Sequence, residues 1–202
     1  MAKRRFEPPP MFGDAFVLHV TLRHIEPEVW RRITVPVSLR LSQLHDVLQG
    51  VMGWKNTHLH AFHVGDIRFG PFHPEDPDML STIDERAACL AAVTKVGASL
   101  LYVYDFGDGW EHEVRVESLV RRVGLHMTCK EGERACPPED CGGPPGYEEL
   151  CEIMRNPRHP EYAERARWLG RSFDPTKFSA LAVNKKLATL SRRFAVGIAA
   201  VK

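Results

Sequence analysis

The sequence of 202 residues has no apolar run that approaches the roughly 18 residues of a membrane-spanning helix. Its first residues, MAKRRFEPPPMF, lack the apolar stretch and small-residue cleavage site of a secretory signal. We therefore expect a cytoplasmic protein without membrane association. The sequence also lacks the phosphate-binding loop, the Gly-x-Ser-x-Gly elbow and the His-Glu-x-x-His helix. The most common catalytic motifs thus give no support to an enzyme.

The net charge is only +1, because the sequence has 27 Lys and Arg residues and 26 Asp and Glu residues. The charges are unevenly distributed: residues 1–154 hold 16 basic and 23 acidic residues, whereas residues 155–202 hold 11 and 3. A basic segment can contact nucleic-acid phosphates, or it can attract an acidic part of the same fold. The second interpretation is favoured, because the basic residues do not form one run. The candidate nucleic-acid contacts are Arg165, Arg167, Arg171, Lys185 and Lys186.

Hydrophobic periodicity predicts strands in the first two thirds of the chain. AFVLHVTLRHI and EVWRRITVP alternate apolar and polar residues, so they should pair as a hairpin. HLHAFHVGDIRFG predicts two short strands, SLLYVYDFGDGWEHEVRVESLV two longer ones, and GLHMTCKEG a further strand. SLRLSQLHDVLQGVMGW predicts an amphipathic helix, with Ser42 as its N-cap and Gly53 beyond its end. The acidic, proline-rich PFHPEDPDMLSTIDE predicts a loop.

Helices are expected to follow the strands. From PPGYEELCEIMRN onward the pattern predicts three helices, the last starting near Pro175. Strands first and helices last are typical of an α+β fold. We expect an antiparallel or mixed sheet of about six strands, with one helix from the N-terminal half packed on it and a C-terminal helical segment. The expected organisation is an extension over residues 1–15 and a single domain over 16–202, divided into a strand-rich part (16–130), a cysteine- and proline-rich loop (131–146) and a helical part (147–190).

The stretch YDFGDGWEHEV concentrates acidic residues beside a histidine. Strand periodicity places Trp110 and His112 on the inward face, and a buried histidine needs a partner. One interpretation is a turn shaped by Asp105 and Asp108, with His112 satisfied inside the core. The other is a functional pocket of Asp105, Asp108 and His112, because carboxylates beside a histidine suit acid–base chemistry or metal binding. The first is slightly favoured.

Cysteines cluster in the stretch CKEGERACPPEDCGG. The odd total of five cysteines favours thiols or metal ligands over a disulfide framework. Cys129, Cys136 and Cys141, with either His112 or His126 as fourth ligand, could form a tetrahedral zinc site. The alternative, slightly favoured, is three buried free cysteines beside a proline loop.

A third group is the histidine-rich stretch THLHAFHV. His58 and His60 should share one face of a strand, with His63 on the other. Two histidines so spaced can bind a metal, but the neighbouring apolar residues favour a structural role.

Six segments, in this order, resemble the plasmid pRiA4b ORF-3-like family: VWRRITVP, LHDVLQGVMGW, HLHAFHV, YDFGDGWEHEV, CPPEDCGGPPGYEEL and FDPTKFS. The resemblance runs from about Phe16 to Leu187. It implies a compact bacterial α+β domain found on chromosomes and mobile elements, some of whose members are labelled resolvase-like proteins of transposons. It brings no established activity, and the sequence shows no nucleophilic serine with the arginine cluster of a serine recombinase.

The expected function is a non-enzymatic binding module that acts with nucleic acid or a protein partner, with zinc as a candidate stabilising ion. The alternative is a metal-dependent hydrolase or nuclease that uses Asp105, Asp108 and His112, with Glu139 and Asp140 nearby. A hydrolytic site needs an open coordination position for water, whereas three cysteines and one histidine would form a closed structural site.

Overall fold

A computed structural model describes residues 13–73, 78–121, 126–170 and 173–199. The strands form one sheet in which all neighbouring pairs are antiparallel except the last two at one edge. In chain order the strands are β1 (Ala15–Leu22), β2 (Val29–Pro36), β3 (His60–Val64), β4 (Ile67–Gly70), β5 (Ile83–Asp84), β6 (Ser99–Tyr104), β7 (Trp110–Val120) and β8 (Thr128–Glu133). Their order across the sheet is β5-β4-β3-β6-β7-β1-β2-β8.

The predicted hairpin of β1 and β2 is confirmed, with Leu18 opposite Ile33. It lies inside the sheet, because β1 also pairs with β7 and β2 pairs with β8. The predicted number of about six strands is close to the eight observed. The two-residue strand β5 lies in the stretch predicted as a loop, since two residues are too short to show an alternating pattern.

The helices among the described residues are α1 (Leu41–Met52), α2 (Leu90–Val93), α3 (Gly143–Arg155), α4 (Tyr162–Leu169) and α5 (Ala180–Ala199). The α+β class is therefore confirmed. The predicted N-cap Ser42 is wrong: α1 begins at Leu41, and Arg40 is its N-cap, with its backbone N–H donating to Gln43 Oε1 at 3.0 Å. Gly53 ends the helix in the left-handed region, as predicted, with φ of 101°.

The last helix, α5, begins later than predicted. It starts at Ala180, because a turn closes over residues 174–177, where the Asp174 carboxylate accepts from the backbone and the hydroxyl of Thr176. The helix packs against α1 and β8, and Arg193 forms an ion pair with Asp46 of α1. An ion pair of this kind is expected if the basic residues 155–202 attract the acidic residues 1–154 of the same fold.

The core lies between α1 and one face of the sheet. The helix buries a stripe that includes Leu44, Leu48 and Val51, against strand residues such as Leu18 and Trp110. Each fully buried leucine side chain contributes about 2 kcal/mol of hydrophobic stabilisation. In the described part of the chain, no helix combines the length and the apolar character needed to cross a bilayer.

A buried arginine fixes the loop after β8. The Arg31 side chain donates to the backbone carbonyl oxygen atoms of Val51, Trp30, Glu133 and Arg134, at 2.7 to 3.2 Å. It therefore joins the end of α1 to the chain that leaves β8. This junction sets the course of the cysteine- and proline-rich loop, which carries Glu139 and Asp140 toward the β6–β7 turn.

Candidate metal centre

The turn between β6 and β7 is shaped by one aspartate. Asp105 has a φ of 56°, and its Oδ1 accepts from the backbone N–H groups of Gly107 at 3.0 Å and Asp108 at 3.3 Å. An aspartate that bonds amides two and three residues ahead stabilises a tight turn. Because Oδ1 holds the turn, Oδ2 is directed to other partners.

The loop that precedes α3 lies directly on this turn. Asp108 Oδ2 accepts from the Gly142 N–H at 3.1 Å. At Gly143, with a φ of 69°, a Cβ atom would lie 2.4 Å from the Asp108 carbonyl oxygen. Only glycine permits this backbone approach together with this φ. The double glycine thus lets Asp140 come close to Asp105, although the two residues are far apart in sequence.

The histidine that meets these acids is His58, just before β3. Its Nε2 lies 2.9 Å from Asp140 Oδ1, 3.6 Å from Asp105 Oδ2 and 3.8 Å from Glu139 Oε2. The approach to Asp140 lacks hydrogen-bond geometry, so Nε2 is a buried atom without a hydrogen-bond partner in the protein. Three carboxylates therefore surround one imidazole nitrogen that donates to none of them.

We call His58, Asp105 and Asp140 the cation cluster. One potential ligand atom from each lies within 4.8 Å of the other two. Two ligands about 2.1 Å from one ion, at angles of about 90–110°, are separated by about 3.0–3.4 Å. The distances of 2.9 and 3.6 Å from His58 bracket this range. Two of the three ligand separations are thus close to those around a single ion.

Glu139 stands beside the cluster and is held by separate contacts. It is buried, and its Oε1 accepts from the Lys55 N–H at 2.5 Å and from the Tyr104 hydroxyl at 3.1 Å. The same hydroxyl accepts from the Thr57 N–H at 3.0 Å. Burial raises the pKa of Tyr104, and the Glu139 charge raises it further. Tyr104 therefore stays a neutral hydroxyl that orients Glu139 at the edge of the cluster.

His112 is not part of the cluster. It is fully buried on the inward face of β7, where its Nε2 accepts from the Trp54 indole and its Nδ1 lies 3.1 to 3.2 Å from the carbonyl oxygen atoms of Trp110 and Tyr102. Burial lowers its pKa to about 4. Its partners are an indole and the backbone, as the interpretation of an internally satisfied histidine requires. Asp108, the other candidate, holds the loop through Gly142.

The cysteines that the sequence suggests as zinc ligands do not lie together as a group of three. Among the described residues, the cation cluster is the one group of at least three potential ligands at coordinating distance. Cys129, Cys136 and Cys141 therefore do not form a set of three ligands, either alone or with His112 or the exposed His126. Burial raises the pKa of all three thiols, that of Cys141 to about 12. Zinc at this loop stays a prediction.

His60 is separated from His58 although both were expected on one face. Its Nε2 lies 2.9 Å from Glu85 Oε2, and both side chains are buried. Its ring stacks on His45 with centroids 3.5 Å apart. His60 belongs to a polar network under α1. A metal shared by His58 and His60 is the less favoured interpretation of the sequence, and it stays a hypothesis.

The candidate nucleic-acid contacts are divided between two helices. On α4, Arg165 pairs with Glu161 at 3.1 Å, and Arg167 donates to the Ala163 carbonyl oxygen. On α5, Lys185 and Lys186 are exposed. Arg171 lies outside the described residues. A role of these residues in nucleic-acid binding stays a prediction.

The comparisons with known proteins agree with one another. The sequence model of a family described as "Plasmid pRiA4b ORF-3-like protein" matches residues 14–182. The chain is 44% identical over 189 residues to the "Uncharacterized protein y4hQ" of Sinorhizobium fredii, which covers 92% of this chain and 96% of that protein. It is also similar to a crystal structure of a protein of unknown function, MM3350 from Methanosarcina mazei Go1. The TM-score is 0.76 and the identity 35%, over 84% of this chain and 97% of that one.

Proposed function

The chain belongs to the plasmid pRiA4b ORF-3-like family, and from this premise we propose that it is a binding module that depends on a divalent cation held by His58, Asp105 and Asp140. The observation that carries the proposal is the buried His58 Nε2, which lacks a hydrogen-bond partner and faces three carboxylates. Carboxylates so close repel one another unless a positive charge lies between them. A divalent ion would supply that charge and give Nε2 its missing partner.

The ligand set favours ions that accept both imidazole and carboxylate. Mn²⁺ and Zn²⁺ meet this requirement, whereas Ca²⁺ and Mg²⁺ prefer oxygen ligands alone. Three protein ligands leave at least one coordination position open. The Asp140 side chain is 68% exposed, so this position would face solvent. The site would therefore be able to bind a further molecule through the ion.

Titration calorimetry of the purified, chelator-treated protein with Mn²⁺ or Zn²⁺ tests the proposal. We expect one bound ion per chain, and a loss of at least about tenfold in affinity in each of His58→Gln and Asp140→Asn. Asp105→Asn is a further variant, because the amide oxygen can still hold the turn while the ligand charge is lost. The matched control is Asp66→Asn, which removes an exposed acid from the β3–β4 turn. Absence of binding, or unchanged affinity in both His58→Gln and Asp140→Asn, would falsify the proposal.

A second candidate function is metal-assisted hydrolysis, which the position of Glu139 favours. Its carboxylate lies 3.8 Å from His58 Nε2 but is outside the cation cluster. It could accept a proton from an attacking water and pass this proton to the leaving oxygen, and a cation bound at the cluster would polarise the bond to be broken. This is the alternative function expected from the sequence, with His58 in the place expected for His112.

Hydrolysis of bis(p-nitrophenyl) phosphate and p-nitrophenyl acetate tests this second function. It predicts release of p-nitrophenol that requires Mn²⁺ or Zn²⁺ and that drops by about a hundredfold in Glu139→Gln. The variant should retain its bound ion, which calorimetry would verify. No metal-dependent release from either compound, or equal release by Glu139→Gln, would leave the binding module as the function.

A further inference from the structure

A cleft of about 690 Å³ adjoins the cation cluster. It lies between the end of α1, the loop that carries Glu139 and Asp140, and a third side formed by Trp168, Leu169, Phe173, Asp174 and Lys177. Asp140 belongs to both the cleft and the cluster. A molecule in the cleft would therefore lie next to the proposed ion. The volume is typical of small-molecule sites, which range over about 300–1,000 Å³.

Some charged groups of the cleft have partners within the protein. Asp174 pairs with Lys177 at 3.3 Å, and Glu139 accepts from Tyr104 and the backbone. By contrast, the Lys55 ammonium is exposed and forms no ion pair within 4.0 Å among the residues that the structure describes. Among the described residues, the positive groups at this end would be Lys55 and the ion, whose two charges would offset those of Asp105 and Asp140. Together they would favour an oxyanion, such as a phosphate or carboxylate group.

Part of the cleft lining is aromatic and apolar. Trp168, near the end of α4, is 47% exposed, although tryptophan has the largest side chain of all residues. It lines the cleft together with Phe173, Pro137 and Pro138. An exposed indole in a concave site offers a flat surface for an aromatic ring, which stacks on it with about 0.5–1.5 kcal/mol beyond the area buried. The charged and the aromatic parts of the lining would thus select different parts of one molecule.

We propose that the cleft binds a small molecule in which an oxyanion is joined to an aromatic ring. The oxyanion would occupy the open position of the ion and approach Lys55, and the ring would lie against Trp168 and Phe173. This inference rests on the proposed function, since it uses the cation at His58, Asp105 and Asp140. It goes further by naming the chemical class of the ligand and the two groups that select it.

Phenyl phosphate and phenylacetate serve as probes, in calorimetric titrations of the Mn²⁺-loaded protein. At least one should bind with one molecule per chain, about fivefold or more tightly than inorganic phosphate or acetate, which lack the ring. Phenol, which has the ring without the oxyanion, should bind more weakly than either. The preference between the two probes distinguishes a phosphate from a carboxylate ligand. Removal of Mn²⁺ by chelation should abolish the binding.

Two variants separate the ends of the cleft. Trp168→Ala should weaken binding of the better probe about fivefold and leave inorganic phosphate or acetate unchanged. Lys55→Ala should weaken both the probe and the simple anion. Trp30→Phe, on β2 and away from the cleft, is the control and should change neither.

The failures of the two proposals are distinguishable by the metal titration. If the protein binds Mn²⁺ but neither probe, or if Trp168→Ala binds the probe like the unchanged protein, the inference about the cleft is wrong and the cation site stands. Probe binding that is equal with and without Mn²⁺ also overturns it, since the ion would then hold no oxyanion. If no ion binds, the proposed function falls, and this inference with it.

Discussion

The indole N–H of Trp54 donates a hydrogen bond of 3.2 Å to Nε2 of His112 in the protein interior. Because Nε2 accepts this bond, the ring proton is assigned to Nδ1, which faces the carbonyl oxygen atoms of Trp110 and Tyr102. Both nitrogens of a neutral imidazole are thereby satisfied. A second proton would displace the Trp54 bond and bury a charge without a counter-ion.

Acid should therefore destabilise the fold through His112. Burial lowers its pKa from the ordinary 6.5 to about 4, so between these pH values the unfolded chain takes up a proton that the folded chain does not. The free energy of unfolding should fall by up to about 3 kcal/mol as the pH is lowered through this window. Urea denaturation at a series of pH values, followed by circular dichroism, measures the effect.

The His112→Leu variant provides the comparison for this acid effect. It should be less stable at neutral pH, because Trp54 loses its acceptor, yet its stability should fall less steeply below pH 6.5. Some slope should remain, since burial also lowers the pKa of His45, to about 3. The same slope in both proteins would show that His112 does not carry the effect.

Neighbouring arginines on β2 should differ strongly in their contributions to stability. Arg31 is buried and donates to four backbone carbonyl oxygen atoms, whereas Arg32 lies on the outer face and pairs with Glu117 and Glu131. Arg31→Met should cost about 3–5 kcal/mol, because carbonyl groups are left without donors. Arg32→Met should cost about 1 kcal/mol or less. Chemical denaturation of both variants measures the difference, and equal costs would contradict the structural role of Arg31.

The double glycine before α3 allows a test of how the two loops are held together. Gly142 and Gly143 both have positive φ, of 90° and 69°, so alanine at either should cost about 1 kcal/mol. Only at Gly143 would the new Cβ meet the Asp108 carbonyl oxygen at 2.4 Å. Gly143→Ala should therefore be the less stable variant and should bind Mn²⁺ about tenfold more weakly than Gly142→Ala. Thermal unfolding and calorimetry check both expectations, which equal behaviour of the variants would refute.

Much of the fold follows from local patterns in the sequence. The alternation in β1, β2 and β7 predicts the three strands. It also predicts the buried face of β7, whereas β1 and β2 bury residues on both faces at one end. The spacing in α1 predicts its amphipathic character and its glycine end. The local prediction fails at the start of α1. Arg40 is the N-cap instead of Ser42, since the Arg40 backbone N–H donates to the Gln43 side chain.

Only part of the candidate site can be predicted from the sequence. Asp105, Glu139 and Asp140 attract attention as acids in glycine- and proline-rich stretches, and His58 lies in a histidine-rich one. Their meeting depends on the approach of two distant loops, and periodicity does not report contacts between loops. Strand alternation does place His112 inside. It cannot show that His58, just before β3, is the histidine that faces the acids.

The position of β1 in the sheet has a consequence for synthesis on the ribosome. β1 pairs with β2, close in sequence, on one side, and with β7, much later in sequence, on the other. A nascent chain that has not yet released β7 therefore holds a strand from the centre of the finished sheet with one edge unpaired. Such non-local pairing raises contact order and slows folding. The interval before Val120 emerges is thus the period when the nascent hairpin is most exposed to edge-to-edge association or to chaperones.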